Sequence, residues 1–365
     1  MIKVPWNKQS VPHCVLEITG KCNLSCKACY RKKNNVDKSL EKIVEELKII
    51  EYNQKLHTVS LAGGEPTLHP QLCEIIRQIK SRNYKVSLVT NGLALNREML
   101  LRLKTAGLDV IMIHIDEGQE RPDLPNRPTI KDVNNLRKKI TDKVTSYGID
   151  AGLCVTIYKD TFSNISQLIE LILKSPNINY LLATHAVTIP EIIDKTGTNE
   201  FFRASSTRNG DIIKLMKEKF GLDPYVYIPS KNHREEKACI SYFIPVIYSN
   251  AKYTYHKIQS CWIDKMLIKL SRIITGRYLY YCKQKSAIIS VLVLINSLAK
   301  FNLLKSTRFI FRAMPAKNSM KGKRLVFENT PVINSNGEIN CCEFCPNLTV
   351  RDKKIVPVCL ADHKL

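Results

Sequence analysis

The sequence predicts an α/β fold in which parallel strands alternate with helices through the first half of the chain. Two observations predict it. Short apolar runs typical of buried strands alternate with segments of helical periodicity, and each of four apolar runs ends in a cluster of cysteine, glycine or polar residues. Because parallel α/β folds build their sites at the carboxyl ends of strands, these clusters predict one site at one edge of the sheet.

The elements follow in a regular order. Apolar runs predict six strands, over residues 13–18, 58–61, 85–89, 110–113, 152–157 and 180–183. Apolar residues at helical spacing predict five intervening helices, over residues 40–50, 72–79, 99–106, 136–144 and 165–173. Ser39 directly precedes the first helix and is a plausible N-cap. Six strands separated by helices by about residue 190 predict a partial barrel.

Three cysteines follow the first predicted strand, Cys22, Cys26 and Cys29. Thiolates are the usual ligands of iron–sulfur clusters, and three of them leave one iron of a four-iron cluster open for chemistry. A disulfide framework is the less favoured alternative, because the chain has 365 residues, 13 cysteines and no apolar segment in residues 1–10. A zinc site is a further alternative, although the loop itself offers no fourth ligand.

Polar clusters after the next strands complete a known pattern. Gly63, Gly64 and Glu65 follow the second predicted strand, Asn91 the third, and His114 and Asp116 the fourth. Together with the cysteine loop, these motifs resemble those of the radical S-adenosylmethionine (SAM) superfamily. The resemblance covers about half of the chain and implies the partial (β/α)6 TIM-like barrel of that family.

The resemblance also implies a chemistry for each motif. Cys22, Cys26 and Cys29 would hold a [4Fe-4S] cluster, and SAM would chelate its fourth iron. Gly63 and Gly64 would let the backbone approach the methionine moiety, with Glu65 near its ammonium. Asn91, His114 and Asp116 would face the ribose. Reductive cleavage of SAM would then yield a deoxyadenosyl radical that abstracts hydrogen from a substrate, with a reductant such as flavodoxin or ferredoxin supplying the electron.

Cysteines cluster again near the C-terminus, at Cys341, Cys342, Cys345 and Cys359. Asn336 and Gly337 precede them between short apolar runs, which predicts a β-hairpin. A hairpin followed by cysteines resembles the SPASM or twitch tails of many radical SAM enzymes, which implies a candidate second iron–sulfur cluster. Zinc binding and free thiols remain alternatives for these four residues.

The formal net charge of +23 is unevenly distributed. Residues 265–327 contain no Asp or Glu and fourteen Lys or Arg, and they include an almost wholly apolar run over 287–299. Apolar and basic residues together favour an anionic membrane surface, although the run is too short to span a bilayer. Binding of nucleic acid is the less favoured alternative, and a buried helix beside a solvated basic face is a third.

We therefore expect three regions. Residues 1–190 would be the radical SAM core, 191–330 a basic and partly amphipathic region, and 331–365 a cysteine-rich tail. The expected location is cytoplasmic, at the inner membrane face if the basic region binds lipid. The leading functional hypothesis is C–H activation on a lipid or isoprenoid. Modification of a peptide or protein is the first alternative, and a non-catalytic iron–sulfur or zinc module is the second.

Overall fold

The structure is a computed structural model that describes residues 1–31, 34–186, 207–232, 236–250, 252–260, 262–278, 286–298, 303–314, 319–333 and 339–362. Its strands are β1 (Ile2–Lys3), β2 (His13–Thr19), β3 (Thr58–Gly63), β4 (Lys85–Thr90), β5 (Val110–His114), β6 (Asp150–Ile157), β7 (Ile178–His185), β8 (Val226–Pro229), β9 (Lys237–Ser249), β10 (Lys252–Tyr255), β11 (Ser319–Glu328), β12 (Val332–Ile333), β13 (Ile339–Asn340), β14 (Leu348–Arg351) and β15 (Lys354–Pro357).

The helices alternate with the strands as far as β7 and then cluster. They are α1 (Leu40–Asn53), α2 (Leu72–Lys80), α3 (Arg97–Thr105), α4 (Ile130–Ser146), α5 (Ile165–Lys174), α6 (Asn209–Phe220), α7 (Trp262–Thr275), α8 (Ser286–Leu298) and α9 (Leu303–Ala313). The predicted N-cap of α1 is confirmed, because the Ser39 side chain accepts a hydrogen bond from the Lys42 N–H. Among the described residues, none of the helices is both long and apolar enough to cross a bilayer.

The six predicted strands are confirmed as β2 to β7, which pair in parallel and in chain order. Helices α1 to α5 bury apolar faces against this sheet, as Ile75, Ile76 and Ile79 of α2 illustrate. Each such side chain contributes about 1.5–3 kcal/mol when fully buried. The α/β fold class predicted from the sequence is therefore observed.

The sheet continues beyond β7 into the region predicted to be separate. β11 pairs with β7 in parallel, β9 pairs antiparallel with β11, and β8 and β1 extend the same sheet. The strand order is β1-β8-β9-β11-β7-β6-β5-β4-β3-β2, with β10 attached to β9. A boundary near residue 190 would therefore lie within one continuous sheet, and the three-region division remains a prediction.

Helices α7, α8 and α9 form a second apolar cluster with β8, β9 and β11. Ile268 of α7, Val293 of α8 and Phe309 of α9 are buried in it beside Phe243 and Met320. Ile289, Leu292 and Val293 of the apolar run are thus core, as the buried-helix alternative expected, whereas Val291 and Leu298 are exposed. Cys261 and Cys282 lie outside the described residues.

The C-terminal tail packs against the start of the sheet. β12 and β13 pair antiparallel, as the predicted hairpin requires, whereas Asn336 and Gly337 lie outside the described residues. β14 and β15 form a second antiparallel pair. Val358, which follows β15, packs against Val15 of β2 and Ala62 of β3.

Candidate active site

The cysteine loop leaves the carboxyl end of β2, and Cys26 interacts electrostatically with both of the other loop cysteines. Cys22, Cys26 and Cys29 are all partly exposed. Burial raises the pKa of Cys26 to about 11, and the charges of Asp116, Cys29 and Cys22 act in the same direction. A surface cavity of about 450 Å³ adjoins the loop, with Cys22 in its wall.

The loop after β5 holds the cysteine loop in place. The Lys27 N–H donates to the Gly118 carbonyl at 2.8 Å, and the Gln119 side-chain amide donates to the Cys26 sulfur at 3.6 Å. Sequence reasoning missed Gln119, because an isolated amide carries no motif. A donor aimed at sulfur stabilises a thiolate, so Gln119 suits a cluster ligand.

Gly63 and Gly64 lie where β3 ends against the cysteine loop. A Cβ at Gly64 would overlap the Lys21 carbonyl, and a Cβ at Gly63, whose φ is +135°, would overlap the Thr19 carbonyl. Both glycines are therefore required by backbone packing between β3 and the start of the cysteine loop. The predicted approach to a methionine moiety is a further role, and their partial exposure leaves it open.

Glu65 is almost fully buried and ties two of the motifs together. Its carboxylate accepts hydrogen bonds from the Thr67 N–H at 3.0 Å, the Thr90 hydroxyl at 2.7 Å and the Asn91 N–H at 2.7 Å. The Asn91 side-chain amide in turn donates to the Asn23 side chain in the cysteine loop at 2.7 Å. Glu65 thus organises the end of the sheet, and Asn91 connects it to the cysteines.

His114 and Asp116 form a hydrogen-bonded pair. His114 Nε2 lies 2.9 Å from Asp116 Oδ2, and the other oxygen of Asp116 accepts from the Gly118 N–H at 2.8 Å. Burial alone would raise the Asp116 pKa, but the bonds and charge of His114 and the Thr156 contact lower it on balance. Asp116 is 1% exposed, whereas the His114 side chain is 30% exposed, so only the histidine presents a surface to a ligand.

Tyr158 is another residue that sequence reasoning missed. It lies beneath the cysteine loop, 6% exposed, with the Lys27 ammonium 5.3 Å from its ring centroid. Burial raises its pKa, with a further contribution from the charge of Asp116. A Cβ at Gly118 would overlap its hydroxyl, so Gly118 lets the loop after β5 approach Tyr158.

The four tail cysteines come together on the described part of the tail. The Cys342 and Cys345 side chains are hydrogen-bonded, and Cys359 interacts with Cys341, Cys342 and Cys345. Burial raises the pKa of Cys359 and of Cys341. Glu328 and Cys239 lie beside this group, and Cys239 is a neighbour that the sequence left unassigned.

Across the described residues, no three His, Cys, Asp or Glu side chains converge closely enough to hold a single metal ion. A four-iron cluster binds one thiolate per iron, so its ligands surround a volume and do not meet at one point. The donor chemistry of the Cys22, Cys26 and Cys29 loop fits such a cluster, because the three thiols are partly exposed, Cys26 interacts electrostatically with the other two, and the Gln119 amide donates to the Cys26 sulfur.

An ion-pair network links the tail to the cysteine loop. Glu17, 1% exposed on β2, pairs with Arg31 at 2.7 Å and with Arg351 of β14. Arg351 also pairs with Asp362 at 2.9 Å, and the Tyr30 hydroxyl donates to Glu17 at 3.3 Å. The segment after Cys29 is therefore held by the same carboxylate that holds the tail.

Comparison with known proteins finds a family match over part of the chain. Residues 16–172 match the Radical SAM superfamily model, which covers β3 to α4 entirely and includes all of the N-terminal site residues. A 7,8-dihydro-6-hydroxymethylpterin dimethyltransferase of Methanocaldococcus jannaschii is 31% identical over 147 residues, 38% of this chain and 29% of that protein. A probable GTP 3',8-cyclase of the same organism is 27% identical over 230 residues, 61% of this chain and 66% of that protein.

Two further proteins are similar over about half of their length. A cofactor-modifying protein for the tungsten-containing aldehyde ferredoxin oxidoreductase of Pyrococcus furiosus is 26% identical, over 43% of this chain and 47% of that protein. Streptococcus suis SuiB bound to its precursor peptide SuiA gives a TM-score of 0.41 at 15% identity, over 57% of this chain and 47% of that one. The matches to the three curated relatives span 29% to 66% of their lengths. Residues 16–172 therefore form a radical SAM domain.

Proposed function

We propose that this radical SAM enzyme uses a [4Fe-4S] cluster on Cys22, Cys26 and Cys29 to cleave SAM reductively and activate a substrate C–H bond. The observation that carries the proposal is the loop itself, in which Cys26 interacts electrostatically with Cys22 and Cys29 and Gln119 donates to the Cys26 sulfur. The cluster, when bound, supplies the electron for cleavage and the iron that SAM chelates. An external one-electron donor of the flavodoxin or ferredoxin class completes the proposal.

The polar residues of the site divide into two groups by exposure. Gly63, Gly64 and His114 are partly exposed at the carboxyl edge of the sheet, and these we assign to contact with SAM. Glu65, Asn91 and Asp116 are buried and engaged with the protein, so they hold the loops that make those contacts. Asp116 keeps His114 oriented by accepting a hydrogen bond from its ring.

The test is SAM cleavage by anaerobically reconstituted protein. Cys26→Ala should abolish production of deoxyadenosine, because a missing thiolate releases iron from the cluster. Cys73→Ala is the matched control, since Cys73 is a thiol buried in α2 among apolar neighbours. Wild-type levels of deoxyadenosine from Cys26→Ala would refute the assignment, and their absence from the wild-type protein would favour a non-catalytic module.

We further propose a second iron–sulfur cluster on Cys341, Cys342, Cys345 and Cys359. The mutual proximity of these thiols supports it. Wild-type protein should carry about eight irons per chain, and a Cys345→Ser and Cys359→Ser double variant about four, since each cubane has four irons. Uncoupled SAM cleavage should persist in the double variant. Zinc in place of the missing iron, or an unchanged iron content, would refute the second cluster.

We also propose that the protein is cytoplasmic and that α7, α8 and α9 dock on an anionic bilayer. Eleven of the sixteen large apolar side chains that are exposed in the described part of the chain lie within residues 262–314. Those of α7 recur at helical spacing and form one solvent-facing stripe, on the side opposite to the buried Ile268: Trp262, Met266, Leu270, Ile273 and Ile274.

The charges around this stripe support lipid as the partner. Lys265 and Lys269 of α7 and Lys305 and Arg308 of α9 are exposed, and no acidic residue occurs between Lys265 and Phe327. Each basic residue near an anionic surface contributes about 1 kcal/mol, and the apolar stripe adds shallow burial. Exposed apolar groups of this extent are uncommon on a solvated monomer surface.

Co-sedimentation with vesicles tests the docking. Binding should favour anionic over neutral vesicles and weaken as salt rises. Ile273→Glu and Ile274→Glu together should remove it, whereas Leu101→Glu, which changes an exposed leucine of α3, should not. Wild-type binding to neutral and anionic vesicles alike would refute the electrostatic part. Salt-sensitive binding to RNA without binding to vesicles would replace lipid by nucleic acid.

A further inference from the structure

A cavity of about 620 Å³ lies against one face of the sheet in the described part of the chain. Strands β2 to β9 and strand β11 contribute to its wall, so the sheet curves around it. Val89, Met112, Leu182 and Val326 lie at mid-strand positions and are nevertheless only half-buried. Apolar side chains in the middle of a covered sheet keep exposure only where they face open space, so these four line an internal chamber.

The chamber connects the two ends of the sheet. At the amino ends of the strands its wall includes Lys85, Asp109 and Asp150. Toward the carboxyl ends it reaches Cys154, which is the strand neighbour of His114. Because the exposed face of His114 belongs to the proposed SAM site, one end of the chamber lies next to that site. The other end of the chamber lies at the amino ends of the strands.

The helices of the docking surface border the amino end of the chamber. The Arg277 guanidinium, just after α7, donates to the Asn83 carbonyl, two residues before β4. Tyr278 packs its ring against Trp6, which lines the chamber, at a centroid distance of 5.8 Å. On the other side, the Ser286 hydroxyl of α8 donates to the Met320 carbonyl at the start of β11.

We propose that the chamber binds the apolar chain of an amphiphilic substrate that leaves the bilayer at the amino ends of the strands and extends toward the SAM site. The inference rests on the proposed SAM chemistry and on the proposed membrane docking. Its own support is the open chamber, the apolar side chains of Met112, Leu182 and Val326 on its wall, and its position beside α7 and α8. The charged rim formed by Lys85, Asp150 and Arg324 is the place for a polar head group, because burying that group in the apolar chamber would be costly.

Binding of a defined amphiphile tests the chamber directly. The probe is 11-(dansylamino)undecanoic acid, whose fluorescence rises in apolar surroundings, added to reconstituted protein without SAM. Leu182→Phe combined with Val326→Phe should weaken binding at least tenfold by filling the chamber. Leu101→Phe, on the exposed face of α3, should bind as the wild type does. Leu182→Ala, which only enlarges the chamber, should stay within threefold of the wild type and guards against misfolding of the larger variant.

Several outcomes would overturn the proposal. It fails if the wild type does not bind the probe, or if the folded double variant binds it unchanged. Uncoupled SAM cleavage is measured in parallel for the wild type and for Leu101→Phe, and both should show it, because Leu101 lies on the exposed face of α3. Probe binding without any SAM cleavage by the wild type would refute the catalytic proposal and leave the chamber assignment standing.

Transfer of the probe from vesicles tests the route. With the probe preloaded in anionic vesicles, the Ile273→Glu and Ile274→Glu variant should acquire it at least tenfold more slowly than the wild type. Its affinity for the free probe should be unchanged, because neither residue lines the chamber. Equal transfer rates for variant and wild type would overturn delivery from the bilayer, and a loss of affinity for the free probe would overturn the separation of route from chamber.

Discussion

Gly64 is required for a reason that a motif does not reveal. The sequence predicts that the missing side chain makes room for a ligand, whereas the structure shows that it makes room for the backbone of the cysteine loop. Both roles place Gly64 at the same edge of the sheet. The sequence-based prediction therefore gave the right position for Gly64 but did not include its contact with Lys21. A contact between Gly64 and Lys21, 43 positions apart, depends on how β2 and β3 pair, which no local pattern specifies.

Replacement of Gly64 should therefore disturb the cysteine loop. Gly64→Ala must displace the backbone at Lys21, so we expect reduced iron binding and a lower melting temperature. Gly210→Ala is the matched control, because a Cβ at Gly210 in α6 meets no atom within 4 Å. That change should stabilise the protein by about 0.5–1 kcal/mol. Wild-type iron content in Gly64→Ala would contradict the packing role.

Glu65 should contribute to stability as well as to the site. In Glu65→Gln, an amide group would face donors from Thr67, Thr90 and Asn91, and at least one of them would lose its acceptor. A buried donor left unpaired costs about 1–3 kcal/mol. Urea denaturation should show a loss of that size, and Glu98→Gln, on the exposed surface of α3, should show less than about 0.5 kcal/mol. Equal stability of the two variants would contradict the buried network.

At the scale of elements, the β/α units were predictable and the later strands were not. The helices α1 to α5 and strands β2 to β7 each carry a local periodicity of 3.6 or a short apolar run, and each pairs with its neighbour in sequence. β11 pairs instead with β7, where Tyr180 lies 144 positions before its partner Arg324, and with β9. Such pairing follows from which edge is left open after the first six strands have assembled.

The tail also contacts the sheet through Pro346, which directly follows Cys345 and is far from its partner His13 in the sequence. His13 Nδ1 lies 2.8 Å from the Pro346 carbonyl, and Nε2 lies 2.7 Å from the Ser60 hydroxyl. Burial lowers the His13 pKa to about 4, although hydrogen bonds with Pro346 and Asn347 act in the opposite direction. His13 thus anchors the tail as a neutral ring.

This anchor predicts a pH dependence of stability. The pKa of His13 in the unfolded chain is about 6.5. Below that pH the unfolded state binds a proton on His13, whereas the folded state binds it only near pH 4. The contribution of the neutral ring is thus complete above pH 6.5 and declines as the pH falls toward 4, by at most about 3 kcal/mol. The difference in unfolding free energy between wild type and His13→Gln should change over that window, and a constant difference would contradict it.

At the scale of the whole molecule, the catalytic edge, the tail and the basic region depend on one sheet. The tail pairs through Arg351 with Glu17 of β2, while β11 completes the other side of β7. The cysteine loop at one end and the helices α7 to α9 at the other are therefore positioned by the same strands. A displacement of α7 to α9 would therefore shift the strands that also position the cysteine loop.

This organisation predicts that residues 1–190 do not form a stable unit alone. Truncation after residue 190 would expose the edge of β7 that pairs with five residues of β11, and unpaired edges of this kind promote aggregation. It would also uncover apolar side chains such as Leu181, which is 1% exposed. The full chain should unfold in one cooperative transition by calorimetry, whereas the fragment should be insoluble or lack a transition. A soluble fragment with its own sharp transition would instead support a domain boundary near residue 190, as the sequence alone suggests.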